Sequence, residues 1–299
     1  MHSETGTLNA VEPYEFERSL AFVIGFGPMS GMQDVEGRSI TKAIMIDGQV
    51  AVFRVTGKGA KLGYEIISAK PLEQGLLKKV VKRISFFLSL DDDVKPFYKI
   101  AKEKDPKFYP LVERAWGLHH VKFLTFEEVV CWALINQRIQ RPIALRIKRS
   151  LIERFGGSLE VDGKTYWAFP DKTRLKSATM KQFLETTKSE RISRRLASFA
   201  SMLDEVDEDF LRTALYEKAK ERLEKVNGIG DWSSMFVLLR GLGRMGKLQP
   251  LNIKRLGAEM EEIYGGPKPL KEINDTYGSW AGYWQTYLWA STMPSFNRP

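Results

Sequence analysis

The spacing of apolar positions along the chain changes once. From Ser19 to about Ser68, short β-rich runs (Leu20 to Ile24, Ala43 to Ile46, Val50 to Val55 and Tyr64 to Ile67) are punctuated by Gly27-Pro28, Asp47-Gly48 and Gly57-Lys-Gly59. Asp-Gly between such runs is a strong hairpin signal, so Ala43–Ile46 and Val50–Val55 are expected to pair. After Pro71 the apolar residues recur at helical spacing, with Leu76, Val80, Val81, Ile84, Phe87 and Leu88 forming one stripe. The pattern predicts an α+β chain, mostly helical, with a small N-terminal antiparallel sheet domain followed by a helical body.

Within the helical part, Thr125-Phe-Glu-Glu128 has the Ser/Thr-x-x-Glu form of a capping box. It opens a helix carrying Val129, Val130, Ala133 and Leu134 that ends near Asn136-Gln137, ahead of Pro142. A second helix follows, with Ile143, Ile147, Leu151 and Ile152 apolar, and closes at Gly156-Gly157. In Ser189 to Leu203, Ile192, Leu196, Phe199 and Leu203 share one side, while Arg191, Arg194 and Arg195 read as a solvated face. Leu215, Ala219, Leu223 and Val226, then Met235, Phe236 and Leu239, mark two helices joined by Asn227-Gly-Ile-Gly230. Gly228 and Gly230 suit a turn that needs positive φ or close backbone approach, and Asn227 suits it too. Backbone amides at such a turn can cradle an anion, which in a nucleic acid would be a phosphate. An ordinary helix–helix turn has the same tripeptide.

Composition narrows the choice. The chain has 299 residues, 43% of them hydrophobic and 11% aromatic, which describes a folded protein with room for more than one domain. Lys and Arg number 46 against 37 Asp and Glu, a net +9, and a pI near 9.4 favours polyanionic partners. The lone Cys131 lies in the apolar run Val129 to Ile135, so it reads as a core thiol in a reducing, intracellular setting, with no disulfide framework. No run of about 18 or more apolar residues and no secretory leader are recognisable, so no membrane association is expected. Asp91-Asp-Asp93 and Lys102-Glu-Lys-Asp105 read as solvated loops or helix ends.

Taken in order, Phe126-Glu-Glu, Asn136-Gln137, Tyr166-Trp-Ala-Phe-Pro170, Gly228-Ile-Gly-Asp-Trp232, Pro250-Leu-Asn252, Ser279-Trp280 and Trp289 resemble the helix-hairpin-helix DNA glycosylases, specifically the AlkA-type 3-methyladenine DNA glycosylase II branch. The resemblance covers roughly residues 15 to 292. It implies an N-terminal sheet unit with following helices over 1–110, and over 111–299 a two-lobed helical body with the hairpin at about 223–232. It also implies a monomer that acts on double-stranded DNA containing damaged bases and needs no cofactor. A monovalent or divalent ion in the hairpin loop is left open.

Position by position, the resemblance implies that Asn227, Gly228, Ile229 and Gly230 grip DNA. Bifunctional relatives carry a lysine nucleophile where this chain has Trp232, so no Schiff-base lyase step is expected. Trp232 becomes instead a wall of the base pocket, with Phe236 one turn later on the same face and Trp280 as the second pocket tryptophan. Aromatic faces suit cationic alkylated purines. The other tryptophans, Trp116, Trp132, Trp167, Trp284 and Trp289, are expected in the core. Gln137 and Arg138 would meet DNA, Arg138 at the place of the wedge that fills the stack left by an everted base. Simple phosphate contact, or an exposed helix end, remains open for Arg138.

The family's catalytic aspartate lies about 20 residues after the Trp232 position, at Asn252. Loss of a glycosidic bond builds positive charge on the sugar, where a carboxylate is worth most; an amide keeps the shape without the charge. Three explanations stand side by side: a change introduced to trap an uncleaved complex, a natural enzyme restricted to labile cationic bases, and a natural lesion binder that excises nothing. Asp231, Glu259 and Asp275 are the nearest acids by sequence, none at the family spacing. A structure-selective DNA-binding protein and a helical scaffold with incidental charge are the competing readings of the whole chain.

Overall fold

The computed structural model describes residues 1–248, 253–294 and 296, and for 253–255 only the backbone. Strand β1 (His2–Asn9) is followed by helix α1 (Phe16–Gly25) and then β2 (Asp34–Glu36), β3 (Ser39–Ile46), β4 (Gln49–Lys58) and β5 (Lys61–Ser68). These make one antiparallel sheet in the order β1-β5-β4-β3-β2. The predicted hairpin holds. Asp47 and Gly48 both take positive φ, 50° and 75°, the geometry of a tight two-residue turn, and Ile46 pairs with Gln49.

One N-terminal expectation is corrected, and one strand was not foreseen. Leu20–Ile24 is part of a helix, because Phe16, Leu20 and Val23 bury one side at helical spacing and extend the apolar run beyond strand length. The polar segment His2–Asn9, which shows no apolar alternation, forms the outer strand β1, registered against β5 from His2–Ser68 to Asn9–Lys61.

Helices α2 (Gln74–Leu88), α3 (Lys95–Lys104) and α4 (Tyr109–Arg114) lead into the body, which contains α5 (Phe126–Ile135) and α6 (Arg141–Phe155). A small ribbon, β6 (Gly157–Val161) with β7 (Lys164–Ala168), packs beside β3 and β4. Next come α7 (Lys172–Ser177), α8 (Met180–Thr187), α9 (Glu190–Met202), α10 (Glu208–Thr213), α11 (Tyr216–Glu224) and α12 (Asp231–Phe236). The last of these runs on as a π-helical turn, Val237–Gly241. Helices α13 (Ile253–Tyr264), α14 (Leu270–Tyr277) and α15 (Ala281–Ser291) complete the chain.

One lobe gathers α5, α6, α8, α9, α11 and α12. In the other, α13 to α15 pack with α3 and α4. The main buried core runs from Leu8 to Met293 through both, and a smaller one (Ala43, Met45, Val52, Ile67, Val161, Ala168) lies between the sheet and the ribbon. No helix among the described residues is long and apolar enough to cross a membrane.

Polar groups lock these layers together. Thr125 accepts the Glu128 N–H as the cap of α5, but the Glu128 carboxylate does not close the box. It turns inward to Lys148 at 2.6 Å. Lys148, fully buried, also donates to the Pro28 carbonyl at 2.9 Å and lies over Phe123 and Trp132. Burial pushes the Glu128 carboxyl up, yet Lys148 and Lys42 outweigh it and leave it below its ordinary value.

Asp105 is not the solvated charge its surroundings predict. It is buried, because the Tyr264 and Tyr277 hydroxyls of the C-terminal lobe donate to it at 2.7 and 3.0 Å. Cys131 is the buried core thiol expected, and burial pushes its pKa up. Trp132 and Trp284 are core as expected, whereas Trp116 and Trp167 are exposed. Trp116 lies over Tyr98 at 4.4 Å, and Trp167 points to the face of β7 opposite Tyr166 and Ala168.

Candidate nucleic-acid interface

The turn between α11 and α12 is built from its own bonds. Val226 N–H donates to the Leu223 carbonyl and Ile229 N–H to the Val226 carbonyl, while the Ile229 side chain is buried as a plug. Asn227, exposed, is tied by its N–H to the Ser198 hydroxyl of α9.

The two glycines differ. Gly228 has φ 90°, and a Cβ there would meet the Arg195 Cδ at 2.6 Å, so the turn requires glycine. Gly230 is extended, with φ −112°, and a Cβ would meet nothing within 4 Å. The expectation that both need special backbone therefore holds inside the fold for Gly228 alone. Gly230 is the residue before α12, whose first N–H groups lack helical acceptors and carry the positive end of the helix dipole. Lys220 bridges Glu224 and Asp231 at 3.0 and 2.9 Å, and Ser234 donates to Glu224, so α11 and α12 are stapled at this end.

Gln137 sits against the hairpin. Its side-chain nitrogen donates to the Gly228 carbonyl (2.7 Å), to Ser233 Oγ (3.1 Å) and to the Ala133 carbonyl (3.0 Å). Its oxygen accepts from Arg195 Nη1 at 2.7 Å. These bonds engage both ends of the amide and brace the hairpin against the end of α5. Arg191 donates to the Gln137 carbonyl at 3.3 Å. Arg138, exposed, is held at φ 56°, a left-handed conformation uncommon outside glycine.

Arg191 and Arg194 are exposed, as the solvated-face reading expects, and Arg194 pairs with Glu190; Arg195 is half-buried. Arg191 and Arg195, one turn apart, face the hairpin. Burial, then the charges of Arg191 and Arg138, make Arg195 less basic than a free guanidinium. The i,i+4 spacing of Arg191 and Arg195 placed them on one face, but only the tertiary fold shows what that face meets.

Among the aromatic candidates, Trp232 and Phe236 come together. Their rings stack at 5.3 Å and 12°, with Trp232 42% exposed and Phe236 buried edge-on to Phe123. Trp280 lies half-buried in the turn before α15, 5.6 Å from Tyr283. It makes no ring contact with Trp232 or Phe236 among the described residues. The two aromatic positions nevertheless share a frame. Gly282 donates to the Met245 carbonyl at 2.7 Å, and a Cβ on it would meet Leu239 of the π turn at 2.7 Å.

Asn252, the position of the family aspartate, lies outside the described residues. Of the nearby acids, Asp231 is paired with Lys220, Glu259 is half-buried on α13 and Asp275 is exposed on α14. No group of three or more His, Cys, Asp or Glu that could hold a metal ion occurs among the described residues.

No protein-family model matches the chain. A DNA-3-methyladenine glycosylase of Bacillus subtilis (strain 168) is 28% identical over 268 residues, covering 86% of this chain and 88% of its own length. The fold is similar to that of a 3-methyladenine DNA glycosylase from Archaeoglobus fulgidus, with a TM-score of 0.75 at 20% identity, over 96% of this chain and 98% of that one. The chain thus shares the fold of these DNA glycosylases, and its sequence is similar to that of a 3-methyladenine DNA glycosylase. The fold is also similar to that of an 8-oxoguanine glycosylase/lyase of Clostridium acetobutylicum in its apo form, with a TM-score of 0.69 at 19% identity, over 97% of both chains.

Proposed function

We propose that this chain is a monofunctional DNA glycosylase that everts alkylated purine bases from duplex DNA and releases them by hydrolysis. The observation that carries the reading is the Trp232–Phe236 stack, half open to solvent, on the helix that the hairpin launches. A turn suited to holding backbone stands next to a flat aromatic surface suited to holding a base.

The chemistry follows from what occupies each position. Trp232 has no amine, so it cannot attack the sugar, and water is the nucleophile. Positive charge develops on the sugar as the base departs. A neutral Asn252 would stabilise that charge less than a carboxylate, so the substrates it serves best are bases that already carry positive charge and leave easily. Stacking and cation–π attraction on Trp232 favour the same bases.

A second reading, a lesion binder that excises nothing, is favoured by Asn252 itself. One assay separates the two. The chain and its Asn252→Asp variant are incubated with methylated duplex DNA, and any freed bases are identified by mass. The glycosylase reading expects alkylated purine from the chain and a faster yield from the variant; lesion-selective binding with no base freed by either supports the binder.

A further inference from the structure

We propose that Arg138, Arg191 and Arg195 form a second phosphate-binding site, separate from the hairpin amides and braced to the hairpin through Gln137. The inference rests on duplex DNA being the ligand, and it adds where a further backbone phosphate is held. Arg195 donates to the Gln137 side chain at 2.7 Å and Arg191 to its carbonyl at 3.3 Å, with Arg138 next in sequence. A guanidinium has five N–H groups, so these bonds leave most donors of Arg191 and Arg195 for a ligand.

No carboxylate among the described residues forms an ion pair with any of the three, in contrast to Arg194 of the same helix, which pairs with Glu190. Partial burial, and then the charges of Arg191 and Arg138, make Arg195 less basic. Like charges gathered without a counter-charge cost free energy that an anion offsets, and guanidiniums match phosphate oxygens in geometry. The left-handed backbone at Arg138 holds an exposed cation at this spot against its conformational preference.

Gln137 gives the cluster a second consequence. The same amide that accepts from Arg195 donates to the Gly228 carbonyl. Arg195 is thus a positioning residue for the hairpin as well as a phosphate ligand, whereas Arg191 meets Gln137 at its backbone carbonyl and acts as a ligand.

The test is the salt dependence of binding to an undamaged duplex, with thermal stability measured beside it. Removing one arginine–phosphate pair should flatten the slope of log K against log salt by about 0.9, so the affinity drop between about 50 and 200 mM salt shrinks roughly threefold. Arg191→Gln and Arg195→Gln are expected to do this, and Arg194→Gln to leave the slope alone. Arg195→Lys should keep the slope while weakening affinity, because the charge stays and the bond to Gln137 goes. Slopes unchanged in both glutamine variants, at wild-type or lowered stability, would overturn the site while leaving the glycosylase reading intact. No duplex binding by the unaltered chain at low salt would overturn both.

Discussion

Gly228 and Gly230 make different demands on the turn they share. Gly228 cannot accept a side chain within the fold: its φ of 90° and the Arg195 stem 2.6 Å from a Cβ both forbid it. Gly228→Ala is therefore expected to cost on the order of 1 to 3 kcal/mol of stability and to weaken binding to every duplex, as thermal melts and titrations would show. Gly230→Ala meets no atom of the chain, so its melting temperature should match the parent. Any loss of DNA affinity in that variant then reports an approaching backbone, and unchanged affinity removes Gly230 from the interface. The need for glycine at 228 was legible in the sequence; that Gly230 needs none for folding was not, because φ is set by the neighbours that close the turn. Gln137 shows the same limit. The resemblance marked it only as a residue that would meet DNA, and its bonds to Gly228 and Arg195 depend on residues 91 and 58 positions away.

At the scale of elements, helical periods were read correctly where the local sequence decides. Thr125 caps α5 as expected by accepting the Glu128 N–H, though the box is left half-made; Ser189, not singled out in the sequence, caps α9 by accepting the Ile192 N–H. Where tertiary contacts decide, the reading failed: Leu20–Ile24 is too short for period to tell strand from helix, and β1 owes its form to pairing with β5. The first turn of α5 also carries a pH response. Burial, with Glu208 and Asp171 adding to it against Arg83, raises the Glu127 carboxyl from 4.5 to about 7. A raised folded pKa means the protonated form is the one the fold favours. Its stabilising contribution is complete below the unfolded value near 4.5 and is lost as pH rises through about 7. Glu127→Gln should accordingly raise the melting temperature at pH 8 and change it little at pH 4.5. Equal shifts at both pH values would show that Glu127 does not titrate in this range.

Across the whole molecule, the sheet and the helical body are joined by a buried charge cluster that composition alone does not reveal. Lys148 and Glu128 are 2.6 Å apart with essentially no exposure, and buried Lys42 on β3 adds its charge to Glu128. Removing one partner strands the other, so Lys148→Ala should cost roughly 3 to 5 kcal/mol, against a smaller loss for Lys148→Met paired with Glu128→Gln. Denaturant titration of the three proteins would check it. The order of sheet, helices and hairpin was legible along the chain because each rests on a local period or turn. The gathering of Arg138, Arg191 and Arg195 was not, since it needs α9 folded against the end of α5.

The central claim, that the hairpin holds the strand while the Trp232–Phe236 stack receives an everted base, does not depend on residue 252 being competent. It can be measured with a fluorescent base analogue placed beside an alkylated purine in a duplex, whose emission rises when its neighbour leaves the stack. The account predicts a rise on binding in the unaltered chain and in Asn252→Asp, and its loss in Trp232→Ala, which should still bind undamaged duplex. Tight binding with no rise in emission, or a full rise in Trp232→Ala, would contradict it.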